Sequence, residues 1–163
     1  MTTSSTTPVP ADPERLSLTE VAPKLAHAYL HLEKTVHAAV DPVLYELIKT
    51  RASQLNGCAF CIDMHTLDAR AAGETEQRLY LLSAWREAPF YTARERAALA
   101  LTEAVTLVSE THVPDEVWNE AAKEFSAEEL AGVLMAIVTI NGWNRIAISS
   151  RTPAGVYQPR SST

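Results

Sequence analysis

From about residue 16 to residue 150, apolar residues recur every three to four positions and almost never alternate as a half-buried strand requires. That periodicity restricts the chain to an all-α fold. Local signals divide it into elements. Pro23 interrupts the stripe Leu18, Val21, Leu25, Ala28, Tyr29 and Leu32, so a helix is expected from about residue 23. Asp41-Pro42 pairs an N-cap with a proline at the first helical position, opening a helix through Val43, Leu44, Leu47, Ile48 and Leu55 that Asn56-Gly57 ends. A further helix is expected from near Cys58 to Ala72, a short one over residues 75–83, and a connector around residues 85–90. Thr92-Ala93-Arg94-Glu95 and Ser126-Ala127-Glu128-Glu129 are capping boxes that open two longer helices, with a short helix from Pro114 to about Phe125 between them. The second box leads into residues 130–140, apolar on nearly all sides. These are expected in the centre of the subunit or in a subunit interface.

Residues 1–14 and 152–163 are poor in large apolar groups and are expected as a disordered N-terminal and a flexible C-terminal tail around one domain, residues 15–151. Fourteen basic against twenty acidic residues give a net charge of −6 without a cationic cluster, which argues against nucleic acid and anionic membranes as partners. The 11-residue apolar run is too short to span a bilayer, and the N-terminus lacks a basic region and an apolar core of the export type. A cytoplasmic location is therefore expected.

Cys58 and Cys61 are the only cysteines, and a bridge between them would close almost no loop, so they do not form an extracellular staple. On a helix Cys61 lies ~60° around the axis from Cys58 and His65 only ~20° from it, so all three side chains share one face. Cys61 and His65 are i and i+4 neighbours, and i, i+3 spacing brings the two cysteine Cα atoms to roughly 5 Å, within disulfide reach. The pair also sits in the first turn of its helix, where unpaired N–H groups favour a thiolate. Three explanations stand: redox chemistry, a metal site or incidental burial. Three ligands on one continuous helix do not wrap a tetrahedron, and no second Cys/His pair follows, so no metal or other cofactor is expected. Glu46 enters by geometry. If the helices before and after Gly57 form an antiparallel hairpin, Glu46 lies level with His65 and can orient the imidazole and accept its proton.

Glu46, then twelve residues on Cys58, then Cys61 and His65, resembles the Glu…Cys-x-x-Cys-x-x-x-His signature of the alkylhydroperoxidase AhpD-like, or carboxymuconolactone decarboxylase-like, proteins. Residues 51–73 (RASQLNGCAFCIDMHTLDARAAG), 76–104 and 140–145 (INGWNR) extend the likeness over most of residues 20–150. The resemblance implies a helical bundle whose central antiparallel hairpin carries the CxxC at a helix N-terminus. It implies assembly into homo-oligomers, often trimers or hexamers. It also implies thiol peroxidase chemistry: Cys61 attacks a hydroperoxide, Cys58 resolves the sulfenic acid to a disulfide, His65 and Glu46 relay the proton, and an external dithiol reductant completes the cycle. The helix dipole by itself favours Cys58 as the thiolate, whereas the proximity of His65 favours Cys61. Phe60 stands where well-studied alkylhydroperoxidases have a histidine. Two other functions fit the same residues: a lactone decarboxylase-like lyase using His65 and Glu46, and a non-catalytic redox sensor or disulfide-exchange protein.

The remaining polar and aromatic residues read as structural. His27, His31 and His37 are spaced along a helix face as surface or interface residues, His112 is in a loop, and Asp63 is on the helix side away from Cys61. Trp85, Trp118 and Trp143 are expected as core or interface anchors. Asn144-Arg145 interrupts an apolar helix, and a buried Arg145 would need an acidic partner.

Overall fold

A computed structural model describes residues 12–159, and among these the regular structure is helical throughout. The helices are α1 (Leu18–Val21), α2 (Pro23–Ala39), α3 (Pro42–Asn56), α4 (Ala59–Ala71), α5 (Glu76–Tyr80), α6 (Ala93–Thr106), α7 (Val108–Thr111), α8 (Asp115–Glu124) and α9 (Ala127–Ser150). The short helix expected over residues 75–83 is split into α5 and a 3₁₀ turn, Leu82–Ala84. Both capping boxes close reciprocally: Thr92 and Ser126 accept the Glu95 and Glu129 N–H groups, and the two glutamates reach back to the cap N–H groups. Such caps are worth about 1 kcal/mol each.

The helix at the centre is α3. It packs against α4, α6 and α9, and eight of its residues, from Leu44 to Ser53, are buried. Leu44, Tyr45 and Ile48 join Ala98 and Leu101 of α6 and Val133, Ala136 and Ile137 of α9 in the main core. Helix α9 is long and apolar enough by length and composition to cross a membrane, yet it also serves as the core helix against which α2, α3 and α6 pack. Val138 and Ile148 leave one side of α9 exposed.

On α2 the structure departs from the apolar stripe. Val21, at the end of α1, and Leu25 of α2 are 63% and 68% exposed. The side turned inward keeps Tyr29 and Leu32 of that stripe and adds Ala26, Glu33 and Val36, at helical spacing. Two polar residues occupy it because α9 and α3 supply their partners: Tyr29 Oη donates to the Thr139 carbonyl at 2.9 Å, and Glu33 accepts from Trp143 Nε1 at 3.1 Å. Close approach of α2 and α9 also needs Gly142, because a Cβ there would stand 1.9 Å from Tyr29 Oη.

Residues 152–159, the described part of the expected C-terminal tail, have no regular structure but make contacts with α4. The Gly155 N–H donates to Asp63 Oδ2 at 2.8 Å, and Tyr157 reaches Asp68, so the segment runs back across α4. The expected N-terminal tail lies largely outside the described residues.

Candidate redox site

The connection between α3 and α4 sets where the cysteines stand. Gly57 caps α3 at φ +70°, a left-handed conformation that suits glycine. Its N–H donates to the Gln54 carbonyl at 3.3 Å and the Cys58 N–H donates to the Ser53 carbonyl at 3.0 Å. This closing pair satisfies the last carbonyls of α3, and α4 begins at Ala59. The two helices therefore run antiparallel, with early α3 beside late α4: Pro42, Val43, Glu46 and Leu47 share a crevice with Ala69 and Ala72.

Cys58 occupies the N-cap of α4, and its Sγ accepts the Cys61 N–H at 3.3 Å. The two cysteines, 5.3 Å apart at Cα, are joined as a disulfide. Each is 1% exposed, packed among Ala52, Ile140 and Ala147 with Phe60 and Trp143 alongside. Cys61, His65 and Ala69 form the buried face of α4. Across the hairpin His65 Nδ1 meets Glu46 Oε2 at 2.9 Å, its one hydrogen-bond partner among the described residues. A carboxylate on Nδ1 holds the tautomer that leaves Nε2 free to accept a proton. Glu46 also lines the crevice, and its side chain keeps 12% of its exposure. The structure thus brings Cys58 to Cys61 and Glu46 to His65, with His65 one helical turn beyond Cys61. The helix N-terminus acts on the Cys58 sulfur, and the imidazole is nearer in sequence to Cys61.

A polar cluster absent from the sequence reading fixes this hairpin to α9. Asn56 Nδ2 donates to Asn141 Oδ1 at 2.9 Å and to Asn144 Oδ1 at 2.8 Å. Asn144, fully buried, donates in turn to Ser53 Oγ at 3.0 Å. Arg145, which would have needed an acidic partner if buried, is exposed and hydrogen-bonds the Asn141 carbonyl at 2.9 Å. The inward position belongs to Asn144, whose amide finds both a donor and an acceptor there.

Next to it lies a buried charge pair. Lys49 is 0% exposed; its ammonium pairs with Glu33, donates to Thr139 Oγ1 at 2.9 Å and sits 4.6 Å from the Tyr45 ring centroid. The Tyr45 hydroxyl also donates to Glu33. Burial pushes the Glu33 carboxyl up, but the Lys49 ammonium and the surrounding donors outweigh it and hold it below the usual carboxylate range. Burial, then the neighbouring Glu33 carboxylate, pushes the Tyr45 phenol far up, so it stays a donor. The sequence signal for Lys49 was a single cation between Ile48 and Thr50 on the stripe side of α3.

Glu46, His65 and Asp68 offer one potential ligand atom each within 4.8 Å of one another. Glu46 already takes the His65 ring and Asp68 the Tyr157 hydroxyl, so internal hydrogen bonds close this cluster. His27, His31 and His112 are exposed and lie apart from it. His37 is exposed as well, with its ring edge-on to Tyr45 at 4.7 Å. Trp85 is buried, Trp143 half-buried and Trp118 largely exposed.

The model of the carboxymuconolactone decarboxylase family matches residues 23–104. The uncharacterized protein YdfG of Bacillus subtilis (strain 168) is 46% identical over 137 residues, which are 83% of this chain and 93% of YdfG. A crystal structure of a protein of unknown function from Agrobacterium tumefaciens, ATU0492, proposed to be an antioxidant defence protein AhpD, is 40% identical. It superposes with a TM-score of 0.86 over 89% of this chain and all of the other. The alkylhydroperoxidase AhpD core of a peroxidase-related protein from Ralstonia eutropha JMP134 shares the fold at 17% identity, with a TM-score of 0.75 over 85% of this chain and 74% of the other.

Proposed function

The chain belongs to the carboxymuconolactone decarboxylase family, and from that premise we propose that it is a thiol-dependent peroxidase of the AhpD-like, CxxC-bearing kind. The observation that carries the reading is the Glu46–His65 hydrogen bond one helical turn beyond a cysteine pair already in disulfide contact. Acid–base chemistry on a lactone would use the glutamate and histidine but would not require two thiols within bonding distance.

In the reduced protein His65 takes the Cys61 proton and Glu46 balances the imidazolium. The Cys61 thiolate attacks the hydroperoxide O–O bond: a sulfur–oxygen bond forms, the O–O bond breaks, and the leaving alkoxide takes the proton from His65. The products are an alcohol and the Cys61 sulfenic acid. The Cys58 thiol then attacks that sulfur, releasing water and forming the disulfide. A dithiol reductant returns both thiols by exchange and is itself oxidised to a disulfide. The net change is one hydroperoxide and one dithiol to one alcohol, one water and one disulfide. The N-cap hydrogen bond to Cys58 Sγ serves the last step, because it stabilises Cys58 as the thiolate that leaves.

This reading includes a cytoplasmic homo-oligomer, trimer or hexamer, in which a second copy covers the exposed apolar groups Val21, Leu25, Val138 and Ile148. Light scattering on the eluting protein tests the assembly, and a monomer counts against it.

The decisive experiment mixes reduced protein with cumene or tert-butyl hydroperoxide and follows free thiols and peroxide together. Loss of two thiols per peroxide consumed, abolished by Cys61→Ser, is expected. Thiols unchanged in excess hydroperoxide refute the peroxidase. Lactone turnover with the thiols intact would replace it with the lyase.

A further inference from the structure

One turn beyond His65 on α4, Asp68 brings a second carboxylate to the imidazole. Its oxygen, a Glu46 oxygen and a His65 ring nitrogen all lie within 4.8 Å of one another. Both Asp68 oxygens take the hydroxyl of Tyr157, at 2.8 and 3.0 Å. Tyr157 arrives from the far end of the chain. After α9 ends at Ser150, the Thr152 N–H donates to the Ala147 carbonyl at 3.0 Å, Arg151 pairs with Asp12 at 3.1 Å, and the Gly155 N–H holds Asp63. The segment is thus pinned at both carboxylates of α4, Asp63 and Asp68.

We propose that Asp68 is a second carboxylate balancing the proton on His65, and that Tyr157 helps to position it, which makes the C-terminal segment a working part of the redox site. The inference rests on the relay reading given above. In the step it serves, the Cys61 thiol gives its proton to His65 and no electrons move; the imidazolium is then balanced by Glu46 from α3 and Asp68 from α4. Among the described residues, the other ionisable groups around this cluster are Tyr45 and Lys49, both on α3, Tyr157, and Glu74, which lines the crevice with Glu46 and pairs with Arg78; Tyr45 feels Glu46 and Asp68, and Lys49 feels Glu46. Helix α9 faces the disulfide with Ile140, Trp143 and Ala147, which carry no charge. Asp68 is seven residues from Cys61, about 10 Å along the helix axis, so its charge acts on the imidazole before it acts on the sulfur. Both Asp68 and Tyr157 are positioning residues, since neither reaches the reacting sulfur.

The test follows thiolate formation by ultraviolet absorbance in reduced full-length protein carrying Cys58→Ser, where Cys61 is the thiol that titrates. Asp68→Asn is expected to move the midpoint up by about half a unit or more, roughly threefold less thiolate at a fixed pH below it. Tyr157→Phe should move it in the same direction, and Asp68→Glu should restore it. An Asp68→Asn profile that overlays the parent overturns the proposal. A parental profile for Tyr157→Phe overturns the role of the C-terminal segment. Tyr157→Phe removes a single hydroxyl, so it keeps the question open to measurement should Asp68→Asn fail to fold. No peroxide is needed, so failures are separable. A protein inert to hydroperoxides that still shows the Asp68-dependent profile refutes the peroxidase and retains this inference.

Discussion

Glu33→Gln leaves the Lys49 ammonium without its counter-charge at a position with no solvent contact. At an effective dielectric of about 20, an ion pair at hydrogen-bond distance attracts by about 5 kcal/mol. The Glu33 side chain keeps 18% of its exposure, so solvent screens part of this, and the lower end of the range for breaking a buried pair, about 3 kcal/mol, is the expected loss. Glutamine cannot make it up. Glu33 accepts from Lys49, Tyr45 and Trp143, and an amide offers one acceptor oxygen while turning an NH₂ toward these donors. For a chain of 163 residues the loss corresponds to a melting point lower by roughly 6–12 °C. Adding Lys49→Met should recover at least half of it, because methionine fills the space of the lysine stem and removes the stranded charge. Urea unfolding at neutral pH, followed by circular dichroism, measures both variants. A single mutant within about 1 kcal/mol of the parent, or a double mutant no more stable than the single, refutes the argument that an unpaired buried charge dominates here.

Glu33, Glu95 and Glu103 carry the pH dependence of stability. In each, burial raises the carboxyl pKa but cationic and hydrogen-bonding neighbours lower it further: Lys49 for Glu33, Arg78 and the Thr92 N–H for Glu95, and Trp85, Arg86 and Arg51 for Glu103. Their folded values lie below the unfolded value of 4.5, so their stabilisation is full above that pH and is lost as pH falls below it; a flat urea midpoint from pH 6 to pH 3 contradicts this. Gly142→Ala places a Cβ 2.8 Å from Tyr29 Cζ, and the ring is held by Thr139 and by edge contact with Trp143, so a loss of about 1–3 kcal/mol is expected in the same unfolding assay. An unchanged midpoint would mean that α2 yields freely. Phe60→Ala should speed reduction of the disulfide by dithiothreitol several-fold, because Phe60 packs against sulfurs that are 1% exposed; an unchanged rate removes Phe60 as their cover.

Much of the helical layout was legible because its signals are local. Capping boxes act within four residues, a glycine C-cap within two, and the shared face of Cys58, Cys61 and His65 follows from helical pitch. The α2 stripe misled for a related reason. Periodicity marks which residues share a face, but of that stripe Val21 and Leu25 are exposed while Tyr29 turns inward with Glu33 beside it, because partners on α3 and α9 make polar burial favourable there. Asn144 and Arg145 show the same limit at a resolution of one residue. An apolar helix with two adjacent polar groups does not say which of them faces in, and the amide does so because Asn56 and Ser53 meet it.

The sequence by itself determined an all-α chain with two cysteines and a histidine on one helix face, since these depend on spacings of three or four residues. Tertiary structure decided that α3 is the central helix, that Lys49 is buried against Glu33, and that Tyr157 closes on Asp68. Those contacts join residues 16 and 89 positions apart, and their existence depends on how helices cross rather than on any local pattern. Glu46 lies between the two cases. Its level along the hairpin could be counted from the Gly57 turn, but its 2.9 Å contact with His65 exists because α4 packs back along α3 closely enough for a carboxylate to span the gap.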